Sequence, residues 1–257
     1  MTHLAAHALT ISLGQRAVLR SLDFKAGAGE LVCVLGPNGA GKSTLLRALA
    51  GFFPQAPVTW DGVPLSQIPA RQRARTIAWL SQNGDAVWPL PVRGIVALGR
   101  IPHGATLDSL TAQDRDAIDR ALHACDLQSL ADRDITTLSG GERARAFAAR
   151  ALAVEAPVLL ADEPVSALDP HHQLTVMGSL HRAAQEGHLV IAVLHDLTLA
   201  ARFANRIVLM KDGNIIAQGK PDRVLTPDLL RAVFAVDVVS VDHDGTRIDL
   251  PWSARND

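Results

Sequence analysis

The sequence predicts an α/β fold: a largely parallel sheet packed with helices, preceded by an antiparallel β layer and interrupted by a helical insertion. Three observations lead there. Apolar runs of strand length recur at 31–35, 76–80, 158–161, 189–194 and 206–210, with helical patterns between several of them. Alternating segments, LTISL and AVLRSLDF, occupy the chain before Leu31. After Trp88 the character changes: proline and glycine punctuate WPLPVRGIVALGRIPHG, and polar helical stretches follow at 111–125 and 141–153.

Each core element has a local reason. LVCVL is apolar without interruption, as a strand covered on both faces requires. Residues 45–50 and 170–186 have helix-forming composition, the second closed by Gly187. RIVLM passes through Lys211-Asp212-Gly213-Asn214 into IIAQG, a hairpin pattern. Beyond Pro221 a short helix and a terminal segment with little chemical signal are expected. The 257 residues fit one domain, 1–257, with 1–87 and 154–220 forming the core and β layer. Residues 88–153 form the helical subdomain and 221–257 a carboxyl-terminal segment.

Composition narrows the function. Lys+Arg (25) and Asp+Glu (26) nearly cancel, so no field draws the chain to nucleic acid, and no such partner is expected. The stretch MTHLAAHALTISLG has no basic segment followed by a long apolar one, so no signal peptide is expected. No apolar run is long enough to span a bilayer, so a role at a membrane needs another polypeptide for the spanning helices. Cys33 and Cys125 lack CxxC partners, and Cys33 lies in an apolar run as a small core residue; a reduced cytoplasmic setting fits.

Gly36-Pro37-Asn38-Gly39-Ala40-Gly41-Lys42-Ser43, followed by Thr44, matches GxxxxGK[ST] between an apolar strand and a helix-forming run. The glycines let the backbone curl so that successive N–H groups point at phosphate oxygens. Lys42 supplies a point charge to the β- and γ-phosphates, Ser43 offers a hydroxyl to Mg²⁺, and the following helix aims its positive end at the same anion. This makes the core that of a P-loop NTPase. VLLADEP is an apolar strand ending in two acids, at the strand end where open α/β sheets bind ligands. Asp162 is placed to hold Mg²⁺, and Glu163 is the candidate base for the attacking water. Ser139-Gly140-Gly141-Glu142 opens a helix, so Ser139 can cap it while free N–H groups form a second anion site. Two anion loops with one base suggest a site completed by a second protomer.

Together GPNGAGKST, LSGGE, VLLADEP, SALD and His195 resemble the ATPase subunits of ABC transporters over most of the chain. The resemblance implies two copies meeting head to tail around two ATP molecules, with Ser139, Gly140 and Gly141 on the γ-phosphate held by the opposite copy. It makes Gln82 the glutamine that senses Mg²⁺ and the permease, Asp169 the acid of the SALD loop, and His195 the histidine at the γ-phosphate. His171 and His172 have no such warrant and read as surface residues at a helix start. One departure stands out. The family usually stacks adenine on an aromatic residue where this chain has Leu13, and the chain contains no tyrosine. An apolar floor from Leu13 and a stacked Arg16 guanidinium are the two ways it could hold the base.

No second cassette, long coiled-coil insertion or membrane span is visible. The segments WPLPVRGIVALGRIPHG and LHDLTLAARFANRIVLMKDGNIIAQG resemble importers of iron-siderophores, haem or cobalamin. That resemblance implies permease subunits as partners, a periplasmic binding protein acting indirectly, and a peripheral location on the cytoplasmic side of the inner membrane. Two other classes compete: an ABC ATPase working as a mechanical module without a permease, and a P-loop kinase. Copurification with a polytopic membrane protein separates the first, and ATP hydrolysis without an acceptor excludes the second.

Overall fold

Two long strands, β1 (His3–Leu13) and β2 (Arg16–Gly27), open the chain as an antiparallel hairpin closed by the pair Leu13↔Arg16. The computed structural model describes residues 3–82, 89–243 and 246–254. The stretch directly after Gln82 and the Trp88 boundary of the helical subdomain lie outside the described residues. Next come β3 (Leu31–Leu35), α1 (Lys42–Leu49), β4 (Val58–Trp60) and β5 (Val63–Pro64). The last two join the hairpin in a layer of order β2-β1-β4-β5.

Helix α2 (Ala70–Thr76) leads into β6 (Ile77–Leu80). A run of α3 (Val92–Ala97), α4 (Ala112–Ala124) and α5 (Gly140–Leu152) then separates β6 from β7 (Val158–Asp162). The core continues through α6 (Pro170–Gln185), β8 (Leu189–Val193), α7 (Leu197–Phe203), β9 (Arg206–Lys211) and β10 (Asn214–Gly219). The main sheet has the order β10-β9-β3-β8-β7-β6, parallel except for the edge hairpin β9–β10.

The uninterrupted apolar runs follow from burial on both faces. In β3, Leu31, Cys33 and Leu35 enter a core cluster with Ile118, Ala146 and Leu180 of the helices. Val32 and Val34, pointing the other way, join Leu9 and Leu22 of the β layer and Leu45 of α1. Both cysteines are free and buried, and burial pushes each thiol up to about 12, so neither is a reactive thiolate.

Among the helices from α3 to α5, Arg100 is 2% exposed and donates to Asp114 Oδ1 (2.9 Å), Glu155 Oε2 (3.0 Å) and the Ala153 carbonyl (2.8 Å). One guanidinium thus ties the 98–103 turn to α4 and to the end of α5.

Two regions differ from expectation. Thr76 ends α2 and does not begin a strand; the Arg-rich ARQRART lacks an apolar face, and α2 has no buried residue. Beyond β10 lie α8 (Pro221–Val224), α9 (Pro227–Phe234) and a hairpin of β11 (Val236–His243) with β12 (Thr246–Ala254), where only one short helix was expected. Among the described residues no helix is long and apolar enough to cross a membrane.

Candidate nucleotide site

Neighbouring parallel strands deliver their following loops to one edge, so the carboxyl ends of β3, β8, β7 and β6 converge. The loop after β3 is the phosphate loop. Gly36 has φ +153°, and a Cβ there would lie 2.2 Å from the Met210 carbonyl oxygen of β9. Gly41, at φ +98°, caps α1, and a Cβ there would lie 2.8 Å from Leu19 Cδ2 of the β layer. A side chain at Gly36 would collide with the backbone of β9, and one at Gly41 would be strained by the positive φ and crowd β2. With the turn held in this way, the amino end of α1 faces the cleft, its leading N–H groups lacking intrahelical partners.

Lys42 bends back across its own loop, donating from Nζ to the carbonyls of Gly36 (2.8 Å) and Pro37 (3.1 Å). Burial draws its ammonium below the usual lysine range, opposed by the charges of Glu163 and Asp162. Ser43 Oγ donates to Asp162 Oδ1 at 2.9 Å, so the first turn of α1 meets the last residue of β7. Burial raises the Asp162 carboxyl above its ordinary value; the Ser43 hydrogen bond works against that, and the Glu163 charge adds to it.

Glu163 is held from three sides. Its N–H donates to the Val193 carbonyl (3.2 Å), its Oε2 accepts from Gln82 Nε2 (2.6 Å), and its Oε1 meets His195 Nε2 (2.6 Å). Its backbone is left-handed, φ +51°, a strained conformation for a residue with a Cβ, kept by these surroundings. Gln82, Glu163 and His195 follow β6, β7 and β8, so three adjacent strands bring together side chains that are far apart in sequence.

A cavity of about 370 Å³ joins this acid to the phosphate loop; Asn38, Gly39, Ala40, Lys42, Ser43 and Thr44 line it, together with Leu13 and Arg16 of the β1–β2 hairpin. Ser139, Gly140, Gly141 and Asp169 do not line it. Ser139 forms a capping box on α5: its Oγ accepts from Glu142 N (3.2 Å), and Glu142 Oε2 accepts from Ser139 N (2.8 Å). Hydrogen bonds from Ser139 hold the Glu142 carboxylate below its ordinary value. Gly141 packs on the SALD loop, where a Cβ would meet Leu168 Cδ2 at 3.6 Å and the Ala167 carbonyl at 3.7 Å. Asp169 caps α6, its carboxylate accepting from His172 N (3.0 Å) and meeting His172 Nδ1 (2.7 Å).

One feature beside the site had no sequence signal. Phe52 is 59% exposed, sits edge-on to Trp79 with ring centroids 5.3 Å apart, and lines a cavity with Gln82 and Asp162. Neither residue belongs to a motif, and only the packing of β6 beside the end of α1 brings them together.

The fold and its phosphate loop define a P-loop NTPase. Comparison with known proteins narrows the class: the ABC transporter family model matches residues 19–166, more than half of the chain. A hemin import ATP-binding protein of Nocardia farcinica is 44% identical over 94% of this chain and 84% of its own length. Its Pseudomonas aeruginosa counterpart is 42% identical, covering 91% and 93%. A Bacillus subtilis ATP-binding protein named for a siderophore transport system is 36% identical, covering 92% and 87%. Among solved structures, a chain described as a metal-chelate type ABC transporter facing inward superposes with TM-score 0.81 at 27% identity, over 98% of both chains. The dimeric ATP-binding cassette MJ0796 with ADP and Pi gives 0.75 at 26%, over 85% of this chain and 98% of that one. This chain belongs to the ABC transporter family and is an ATPase of that type.

Proposed function

We propose that the chain is the ATP-hydrolysing subunit of an importer for an iron complex, siderophore or haem, or for cobalamin. One observation carries the chemistry: Glu163 is held between Gln82 and His195 at the mouth of the phosphate-loop cavity. The solute class rests on relatives named for hemin import and siderophore transport.

In this reading the N–H groups of 36–44 and the Lys42 ammonium bind the β- and γ-phosphates of ATP. Ser43 and Asp162 offer Mg²⁺ a hydroxyl and a carboxylate 2.9 Å apart, hard oxygen donors of the kind it takes, with Gln82 nearby as a further oxygen. Bound there, Mg²⁺ would neutralise phosphate charge. Glu163 accepts the proton of the attacking water, Gln82 orients its carboxylate, and His195 reaches the γ-phosphate.

Ser139, Gly140, Gly141 and Asp169 complete the site from a second copy, because none of them lines the chain's own phosphate-loop cavity; Gly140 alone shares a separate cavity with Gln82 and Glu163. ATP bound between the two copies favours the closed dimer, and loss of the γ-phosphate releases it. Gln82 and the helical subdomain 88–153 pass that motion to permease subunits, with the chain peripheral on the cytoplasmic side of the inner membrane. A periplasmic substrate-binding protein acts indirectly through the permease. Deleting the gene in its host is expected to stop uptake of haem, ferric siderophore or cobalamin, with rescue by the wild-type gene but not by Lys42→Ala. Unchanged uptake of all three would overturn the importer reading while leaving the ATPase intact.

A further inference from the structure

We infer that the hollow between α4 and α6, at the end of the main sheet away from the phosphate loop, is a second binding site. Its ligand is an amphipathic organic anion: an apolar body carrying one carboxylate or sulfonate, received by the Arg182 guanidinium.

The cavity holds about 680 Å³, more than the 370 Å³ beside the phosphate loop. Ala78 and Leu159, near the amino ends of β6 and β7, line it, and His188 of its lining stands just before β8. Gln82, Glu163 and His195 follow the carboxyl ends of the same strands, so the two sites occupy opposite edges of the sheet. Protein interiors pack closely and seldom leave voids larger than a water molecule. Here Ala121 and Ala124 of α4, Ala151 of α5 and Ala183 of α6 face the hollow without filling it. Apolar walls, a few polar groups and this volume are the dimensions of a small-molecule site.

The polar groups select the ligand, and most are already engaged. Arg120 donates to Glu155 Oε1 (2.6 Å), Glu155 Oε2 accepts from the buried Arg100 (3.0 Å), and Asp119 pairs with Arg93. His188 Nδ1 meets the Ala156 carbonyl (2.8 Å), and His123 Nδ1 meets Gln128. Arg182 differs. Its Nη2 donates to Ser179 Oγ (3.0 Å), and among the described residues no carboxylate pairs with it. The same hydroxyl donates to the carbonyl of Ala124, so the guanidinium is steadied where α6 meets the end of α4. Its remaining N–H groups suit a planar carboxylate or a sulfonate. Glu186, four residues on, also lines the cavity without an ion-pair partner among the described residues, and its charge opposes an anion.

The lining joins inserted helices to core: α4 and the end of α5 on one side, α6 and β7 on the other. Glu155, in the connection from α5 to β7, has φ +54° and borders the hollow. An occupant braces the two parts against each other and so slows ATP hydrolysis. That consequence rests on the ATPase mechanism proposed above; the binding itself does not.

The test uses the full chain and the fluorescent anion anilinonaphthalene sulfonate, with decanoate, decanol and acetate as competitors. Wild type is expected to bind the probe saturably and to release it to decanoate. Decanol lacks the charge and acetate the apolar body, so each should compete more weakly by about tenfold or more. Arg182→Gln keeps a donor for Ser179 and should weaken probe and decanoate by about tenfold, the order of one charge-assisted hydrogen bond. Glu186→Gln should tighten both. Ala183→Leu fills the hollow and should abolish probe binding, with an unchanged thermal transition showing the fold intact. Wild-type probe affinity in Arg182→Gln and Ala183→Leu would place the probe elsewhere and overturn the proposal, as would decanol matching decanoate. Decanoate should also lower ATP hydrolysis over the range that displaces the probe, in wild type but not in Ala183→Leu. Displacement with hydrolysis unchanged would overturn the bracing. Absence of hydrolysis in wild type without decanoate would instead strike the ATPase reading and leave the binding result standing.

Discussion

Glu163 Oε1 lies 2.6 Å from His195 Nε2, across the gap between the ends of the adjacent strands β7 and β8. The imidazole is 45% exposed, whereas the carboxylate is 15% exposed. If Glu163 takes the proton of the attacking water, Glu163→Gln should keep ATP binding and lower phosphate release by about 10²–10⁴-fold, because the amide keeps the shape and loses the basicity. His195→Ala should cost about 10²-fold, the range for losing one donor at developing charge. Lys42→Ala should show its effect on binding, as a higher nucleotide dissociation constant. Steady-state phosphate release near wild type in Glu163→Gln would take Glu163 out of the role of base.

The Ser43–Asp162 bond separates metal dependence from nucleotide binding. Ser43 sits in the first turn of α1 and Asp162 ends β7, and their oxygens meet at 2.9 Å. Asp162→Asn keeps the acceptor oxygen for Ser43 and removes the charge that a hard cation needs. Binding of ATP in EDTA should be unchanged, while the Mg²⁺ concentration giving half-maximal hydrolysis rises by tenfold or more, about 1.4 kcal/mol of lost metal affinity. An unaltered Mg²⁺ titration would mean that the cation is held elsewhere.

The buried Arg100–Asp114 pair should report on stability alone. Hydrogen bonds from Thr111 and Arg100 hold the Asp114 carboxyl at about 2, below its ordinary 3.8. A depressed acid stabilises the fold fully above its unfolded value and progressively less as pH falls through its folded one. That contribution is therefore present above about pH 4 and fades toward pH 2. Arg100→Ala strips the partner from Asp114 and Glu155 and should cost about 3–5 kcal/mol in urea unfolding at neutral pH. Asp114→Asn should be less stable than wild type at pH 7, with the gap closing near pH 2. A gap independent of pH would assign the loss to packing.

Much of this was legible because the site is built from loops at strand ends, and loop chemistry is local. The phosphate loop needs glycines at 36 and 41 for reasons confined to that turn, and LLADE shows its acids at the end of an apolar run. The mutual geometry was not legible. That Gln82 and His195 grip opposite oxygens of Glu163 follows from the order β6-β7-β8 in the sheet, and strand order is not written in any local pattern. The edges were harder still. β4 and β5 are three and two residues long, too short to show a period. The β11–β12 hairpin alternates valine with polar residues, VDVVSVDH, with Asp244-Gly245 in sequence between the strands, a turn signal that could have been read. Leu13 and Arg16 show the reverse case: both were singled out as residues, and only the hairpin register makes them neighbours.

The proposed head-to-tail dimer puts Ser139 at the join between two chains. Its Oγ accepts from Glu142 N and its own N–H donates to Glu142 in the capping box of α5, which leaves its hydroxyl proton and the N–H groups that follow at the helix start to offer a second nucleotide. Those donors do not line the chain's own phosphate-loop cavity, and the proposed head-to-tail partner would use them. Ser139→Arg places a long side chain where the partner's nucleotide would arrive. In a Glu163→Gln background, which should accumulate the ATP-bound dimer, Ser139→Arg should return the chain to the monomer peak in size-exclusion chromatography. Loss of the cap alone costs about 1 kcal/mol, so the fold and the subunit's own nucleotide binding should survive. Ser139→Ala removes the same cap without the bulk and should retain most of the dimer, separating blocked approach from weakened helix. An undiminished ATP-dependent dimer peak with Ser139→Arg would sink the head-to-tail arrangement.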